Sequence, residues 1–248
     1  MHEIWLYSLI SVVIVSLISL IGVWTLSIKT ERLKIILIYL LAFSAGALFG
    51  DAFIHIFPEI GKGGFSIFSS LFVLSGIGLF FVIEKFIHWQ HCHMPITEEH
   101  AHPFAYMNLI GDGLHNFIDG SIIAASFLVN IPLGVATTLA VILHEIPQEI
   151  GDFGVLLHGG FSKGKALWLN FLTALTAIIG AVITLIVGRS VENVSSFLLP
   201  IAAGGFIYIA GSDLIPELHK ETEVKRSFMQ LIAFLLGIGV MALLFLLE

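Results

Sequence analysis

Eight apolar stretches, each at or beyond the roughly 20 residues that cross a bilayer's hydrocarbon core, are joined by short connectors at about 4–28, 35–60, 65–87, 105–130, 132–158, 165–188, 196–219 and 227–247. In lipid every backbone polar group must be satisfied within the protein, so only helices and closed barrels span it. Stretches of this length are too long for barrel strands. The expectation is therefore an all-α fold, a polytopic membrane helix bundle with eight transmembrane helices. Composition agrees, because 57% of the 248 residues are hydrophobic, 12% are charged, and the mean hydropathy is +1.00, far outside the range of soluble domains.

The first stretch reads as a span and not as a signal peptide, since it lacks a basic start and a small-residue cleavage site. So little chain lies outside the lipid that a nucleotide-driven pump and a nucleic-acid binder are both excluded, and no phosphate-cradling glycine loop or basic patch is present. The single cysteine, Cys92, rules out an internal disulfide. Lys29, Arg32, Lys34, Lys85, Lys163, Lys165, Lys220, Lys225 and Arg226 fall on alternate connectors, against only Lys62 and Arg189 on the others. The positive-inside rule then places both termini on the non-cytoplasmic side. The longest loop, 88–104, which holds His88, His91, Cys92, His93, His100 and His102, is expected to be cytoplasmic.

An offset of 158 residues lays Ala45-Gly46 on Ala203-Gly204, His55 on Asp213, and Pro58-Glu59 on Pro216-Glu217. By the span count these two helices run in opposite directions, the sign of an inverted repeat. The predicted arrangement is 3+2+3, with spans 1–3 mirroring spans 6–8 around a central pair. In such folds the substrate site lies near the midplane at the repeat interface.

Ionisable residues within spans cost about 2.5–3.5 kcal/mol each on insertion scales and mark a cavity or a binding function. Here they concentrate. Span 2 carries Asp51, His55 and Glu59; span 4 carries Asp112, His115, Asn116 and Asp119; span 5 carries His144, Glu145, Gln148, Glu149 and Asp152; span 7 carries Asp213 and Glu217. Steps of three, four and seven residues put each set on one helix face, so polar stripes on spans 2, 4 and 5 can converge on one axis. Imidazole nitrogen with carboxylate oxygen suits zinc and its first-row neighbours. A site that must release its ion is better served by a mixed set with a weak amide than by a closed tetrahedron. Pro147 has no amide proton for the carbonyl of Leu143 and is predicted to kink span 5 beside His144; Pro58 and Pro216 are placed to do the same in spans 2 and 7.

At these residues the chain resembles a known family: HNFIDG at 115–120 and HEIPQEIGDF at 144–153 are similar to the span 4 and span 5 signatures of the ZIP metal-ion transporters, in the LIV-1-like subgroup. DAFIHIFPE at 51–59 and SDLIPELH at 212–219 extend the likeness over nearly the whole chain. The resemblance implies that residues 1–248 form a single transmembrane transporter domain that moves divalent transition-metal ions, foremost Zn(II), into the cytoplasm. It implies His115, Asp119 and His144 as direct ligands, Asn116, Glu145 and Glu149 at or beside a second site, and Asp51 and His55 as span 2 ligand or entrance positions. One departure is Gln148, where the subgroup carries histidine, so one half of a two-metal centre is expected to be absent or weak.

No cofactor is expected; Zn(II) is the cargo, and Fe(II), Mn(II) and Cd(II) accept the same donors. The expected partners are divalent metal ions, membrane lipid and a second copy of the chain in a homodimer. Two other readings compete. A cation-diffusion exporter also lines helices with histidine and aspartate, but has about six spans and a cytoplasmic C-terminal domain, whereas this chain ends at Glu248 after a hydrophobic span. An intramembrane metalloprotease would use an HExxH pair, but Gln148 stands where its second histidine belongs.

Overall fold

The computed structural model describes residues 2–25, 30–62, 64–89, 103–190 and 195–246. Within them the chain makes eight helical spans. Span 1 is His2–Ile18, continued by a tight turn at Ser19–Ile21 and Gly22–Thr25; span 2 is Thr30–Gly50, Asp51–Ile56 in π-helical geometry and Phe57–Lys62. Span 3 is Ile67–Trp89, span 4 is Pro103–Val129 and span 5 is Ile131–His158. Span 6 is Lys163–Ala174 and Thr176–Ser190, span 7 is Ser195–Tyr208, a π-helical Ile209–Leu214 and Ile215–Leu218, and span 8 is Val224–Phe245. The tract holding His91, Cys92, His93, His100 and His102 lies outside the described residues.

Seven of these spans are long and apolar enough to cross a membrane; span 4 is not among them. It falls short in composition, not in length, since 27 residues at a rise of about 1.5 Å each reach some 40 Å. Its polar residues lie on faces covered by other spans, so lipid does not meet them: Asp112, His115, Asn116 and Asp119 are all buried. Asn130 alone separates spans 4 and 5, and its side chain caps span 5 by accepting from the Leu133 amide at 2.8 Å. Gly160, at φ +88°, turns the chain out of span 5, a conformation that glycine adopts without a Cβ clash.

Packing partners fix the direction of each crossing. Spans 4 and 5 are antiparallel, because Phe127 meets Gly134 at one end while Asn108 reaches Asp152 at the other. Spans 3 and 7 are parallel, with Phe72 on Phe197, Gly76 on Ile201, Phe80 on Gly205 and Glu84 on Tyr208. Spans 2 and 8 are parallel as well, from Gly46 against Phe234 to His55 against Phe245. These directions are those of eight alternating crossings.

The repeat is written into the backbone. Adding 158 to the π-helical residues 51–56 gives 209–214, which are also π-helical, and each segment lies two residues before a proline, Pro58 or Pro216. A proline withholds an amide from the turn before it, and both chains respond with wider bonds, Phe57 N–H to Ala52 O and Ile215 N–H to Ala210 O. The equivalent glycines Gly46 and Gly204 both let a neighbouring helix approach to backbone contact, on the Phe234 carbonyl of span 8 and the Val73 carbonyl of span 3. Each three-helix unit thus lends its middle span to the outer span of the other, and spans 4 and 5 run between them. Small residues at such crossings are what lipid-embedded helices use to pack closely.

Candidate metal centre

Spans 4 and 5 face each other through their polar stripes. His115 Nε2 lies 3.3 Å from His144 Nε2, 3.5 Å from Asp119 Oδ2 and 3.4 Å from Glu145 Oε1. His144 Nε2 lies 3.1 Å from Asp119 Oδ2 and 3.6 Å from Glu145 Oε1. All four ligand atoms fall within 4.8 Å of one another. A tetrahedral zinc site with bonds near 2.0–2.1 Å has ligand atoms about 3.4 Å apart, and the five distances scatter around that value.

The hydrogen bonding around the cluster strengthens the case. His144 Nδ1 sits 3.1 Å from the Ala140 carbonyl, which can only accept, so Nδ1 donates there and Nε2 is turned to the cluster. Both oxygens of Asp119 and both of Glu145 are buried and have no hydrogen-bond donor beyond the two imidazoles. Two imidazole nitrogens and two carboxylates, on residues no more than 7% exposed, therefore converge on one small volume. Burying two carboxylates with so few donors is costly, and a cation held between the four side chains offsets that cost. Phe80 stands edge-on to His115 at 5.5 Å and Phe206 lies 6.2 Å from His144, which covers one side of each imidazole.

The other residues expected at the site divide. Asn116 is fully buried and turns its amide to Asp112, donating to Oδ1 at 2.8 Å, while its own Oδ1 has no partner. Glu149 accepts from Asn170 of span 6 through Oε2, and its Oε1 is unpartnered. Gln148 lines a cavity of about 420 Å³ shared with His115, Asp112, Asp152 and Asn108, which runs out past Asp213 to Glu217 and Lys220 at the end of span 7. Asp51 is fully buried in the π-helical turn of span 2, outside the four-residue cluster. His55 faces span 8: its Nε2 donates to the Met241 carbonyl at 2.9 Å and its ring meets Phe245. Glu59 pairs with Lys62 at 2.6 Å near the surface. His55 and Glu59 of span 2 thus turn to span 8 and to the surface, not to the cluster of spans 4 and 5.

Two residues of span 6 escaped the motif reading. Asn170 holds Glu149, and Thr173 donates to Asp112 Oδ2 at 2.5 Å. Attention to ionisable groups passed over them; the available signal was a buried amide and a hydroxyl three residues apart inside an otherwise apolar span.

The model of the family described as ZIP zinc transporter matches residues 2–104 and 90–245. The chain belongs to that family. Among its relatives in the family, zinc transporter zipt-7.1 of Caenorhabditis briggsae is 31% identical over 99% of this chain and 80% of its own length. The ZIP13 homolog of Drosophila melanogaster, named a zinc transporter, is 30% identical over 96% of this chain and 88% of its own. Zinc transporter ZIP10 of Danio rerio is 42% identical over 58% of this chain and 18% of its own.

Proposed function

We propose that this protein is a zinc transporter that carries Zn(II) across the membrane into the cytoplasm through the site on spans 4 and 5, with residues 1–248 acting as one transport domain. The observation that carries the reading is the convergence of four buried lone-pair donors, His115, Asp119, His144 and Glu145, at spacings suited to a zinc tetrahedron. Asn116 and Glu149 stand beside it with unpartnered oxygens, and Gln148 offers only a neutral amide on the cavity side.

The path follows from where the site opens. On the side of the connectors 3–4, 5–6 and 7–8 the cavity reaches His115, whereas toward the other end spans 4 and 5 continue into packed Ile122, Ile123, Phe127, Leu133 and Ala140. Since the first side carries most of the lysines and arginines, the conformation is read as open to the cytoplasm. Zinc bound between the four donors leaves by way of Gln148 and the acidic wall of the cavity, and the carboxylates exchange the metal for protons or water as it departs. A rocking of the two three-helix units about spans 4 and 5 would then expose the site to the opposite side. The test is zinc uptake into proteoliposomes by wild type and His144→Ala, with Fe(II), Mn(II) and Cd(II) as competitors; equal flux in the variant would overturn the site.

A further inference from the structure

Pro147 interrupts the hydrogen-bond ladder of span 5 three residues after His144, leaving the Leu143 carbonyl without the amide that an α-helix would supply from position 147. In lipid such a carbonyl must be satisfied by another group. It is: Ser44 of span 2, fully buried, places its Oγ 2.5 Å from the Leu143 oxygen. The same Oγ lies 2.7 Å from the Leu40 carbonyl of its own helix. A hydroxyl has one proton, so a bond to Leu143 draws it from the local carbonyl that serines in membrane helices otherwise use.

We infer that Ser44 is a positioning residue of the metal centre, holding the carbonyl at the Pro147 break and thereby the rotation of His144 and Glu145 toward His115 and Asp119. The inference rests on the zinc reading of that centre. Leu143 is joined directly to His144, whose imidazole is fixed one turn back on the Ala140 carbonyl. Ser44 therefore secures the backbone on one side of the ligand while Ala140 secures its ring. The bond also links span 2 of the first three-helix unit to the central pair. When those parts separate, the hydroxyl retains Leu40 as an acceptor but the Leu143 carbonyl loses its donor, so the contact favours the arrangement in which the four ligands are assembled.

The test compares zinc affinity, by chelator competition, with the bond itself. Leu-His pairs occur at 114–115, 143–144, 157–158 and 218–219, so protein labelled with ¹³C-carbonyl leucine and ¹⁵N-histidine gives four resolved pair signals, of which one reports Leu143. Ser44→Val, shaped like threonine but without the hydroxyl, is expected to weaken zinc binding about tenfold, the scale of one buried hydrogen bond, and to shift the Leu143 signal alone; Ser44→Thr is expected to keep both. In Pro147→Ala the amide of residue 147 returns to Leu143, and adding Ser44→Ala should change affinity by less than about twofold. Equal loss in the Val and Thr variants, or an unmoved Leu143 signal in Ser44→Val, overturns the assignment whether or not Pro147→Ala folds. A wild-type chain that binds no zinc, yet whose Leu143 signal moves in Ser44→Val, overturns the zinc reading and with it the positioning role while leaving the hydrogen bond in place.

Discussion

His144 Nε2 and Asp119 Oδ2 approach to 3.1 Å across the interface of spans 4 and 5, the closest of the contacts that join the two signature motifs. The pair joins an imidazole nitrogen to a carboxylate that has no donor besides the two imidazoles, so on the zinc reading removing either member removes a ligand and not merely a hydrogen bond. Loss of groups that only orient a metal ligand already costs roughly 10- to 100-fold in affinity or activity. His144→Ala and Asp119→Asn are therefore each expected to lower zinc flux by about 100-fold or more, read as initial uptake rate in proteoliposomes at matched protein density. Flux within about threefold of wild type in either variant would show that zinc crosses elsewhere.

Gln148 sets a different expectation, because it lines the cavity beside His115 and offers only a neutral amide. Imidazole binds zinc far more tightly than a neutral amide. Gln148→His is expected to tighten zinc binding by about tenfold or to add a second equivalent, and to lower the maximal transport rate, since an ion held on its exit path leaves more slowly. Calorimetric titration counts the sites and saturation kinetics reads the rate. A variant with unchanged stoichiometry, affinity and maximal rate would show that position 148 does not face departing zinc.

Close helix crossings predict a stability effect that is independent of metal. A Cβ on Gly120 would collide with the carbonyl of Ala177 in span 6, and one on Gly180 with the carbonyl of Phe117 in span 4, whereas one on Gly239 of span 8 would meet nothing within 4 Å. Gly120→Ala must push spans 4 and 6 apart, and overpacking of this kind costs about 1–3 kcal/mol. The expected result is a clear fall in the detergent melting temperature for Gly120→Ala, and none for Gly239→Ala. Equal melting temperatures would contradict the packing of span 6 against span 4.

How much of this was legible beforehand depends on whether a feature is local. The eight spans, the repeat and the polar stripes of spans 4 and 5 follow from apolar length, an offset of 158 and helical spacing, all of which survive folding because they are properties of single helices; Glu145, expected at or beside a second site, is brought by the packing of those spans into one cluster with His115, Asp119 and His144. The vacated carbonyl of Leu143 was equally predictable, since it follows from the chemistry of Pro147. Its donor, Ser44, was not, because it lies 99 positions away and only the packing of span 2 on span 5 brings it there. The partner of His55 was hidden for a related reason: the Met241 carbonyl lies 186 positions away, and only the packing of span 8 on span 2 brings it to the ring. Asn170 and Thr173 carry no charge, so a search for costly groups in lipid passed over the side chains that hold Glu149 and Asp112.

Sidedness gives the last prediction, and it joins the topology to the cavity. Lys62 and Lys220 lie at opposite ends of the bundle with side chains 70% and 72% exposed, and Gln148 lines the cavity whose far wall includes Lys220. With Cys92, the sole thiol, replaced by serine, a single cysteine at each position can be labelled with a membrane-impermeant maleimide. If the lysine- and arginine-rich connectors are cytoplasmic, Lys62→Cys reacts in intact cells, whereas Lys220→Cys and Gln148→Cys react only after the membrane is opened. Zinc should slow labelling at position 148, where the ion passes, and leave position 220 unchanged. Reaction of Lys220→Cys from outside would invert the bundle and with it the direction of zinc release; reaction of Gln148→Cys from outside with Lys220→Cys protected would mean that the cavity drains toward the wrong face for uptake.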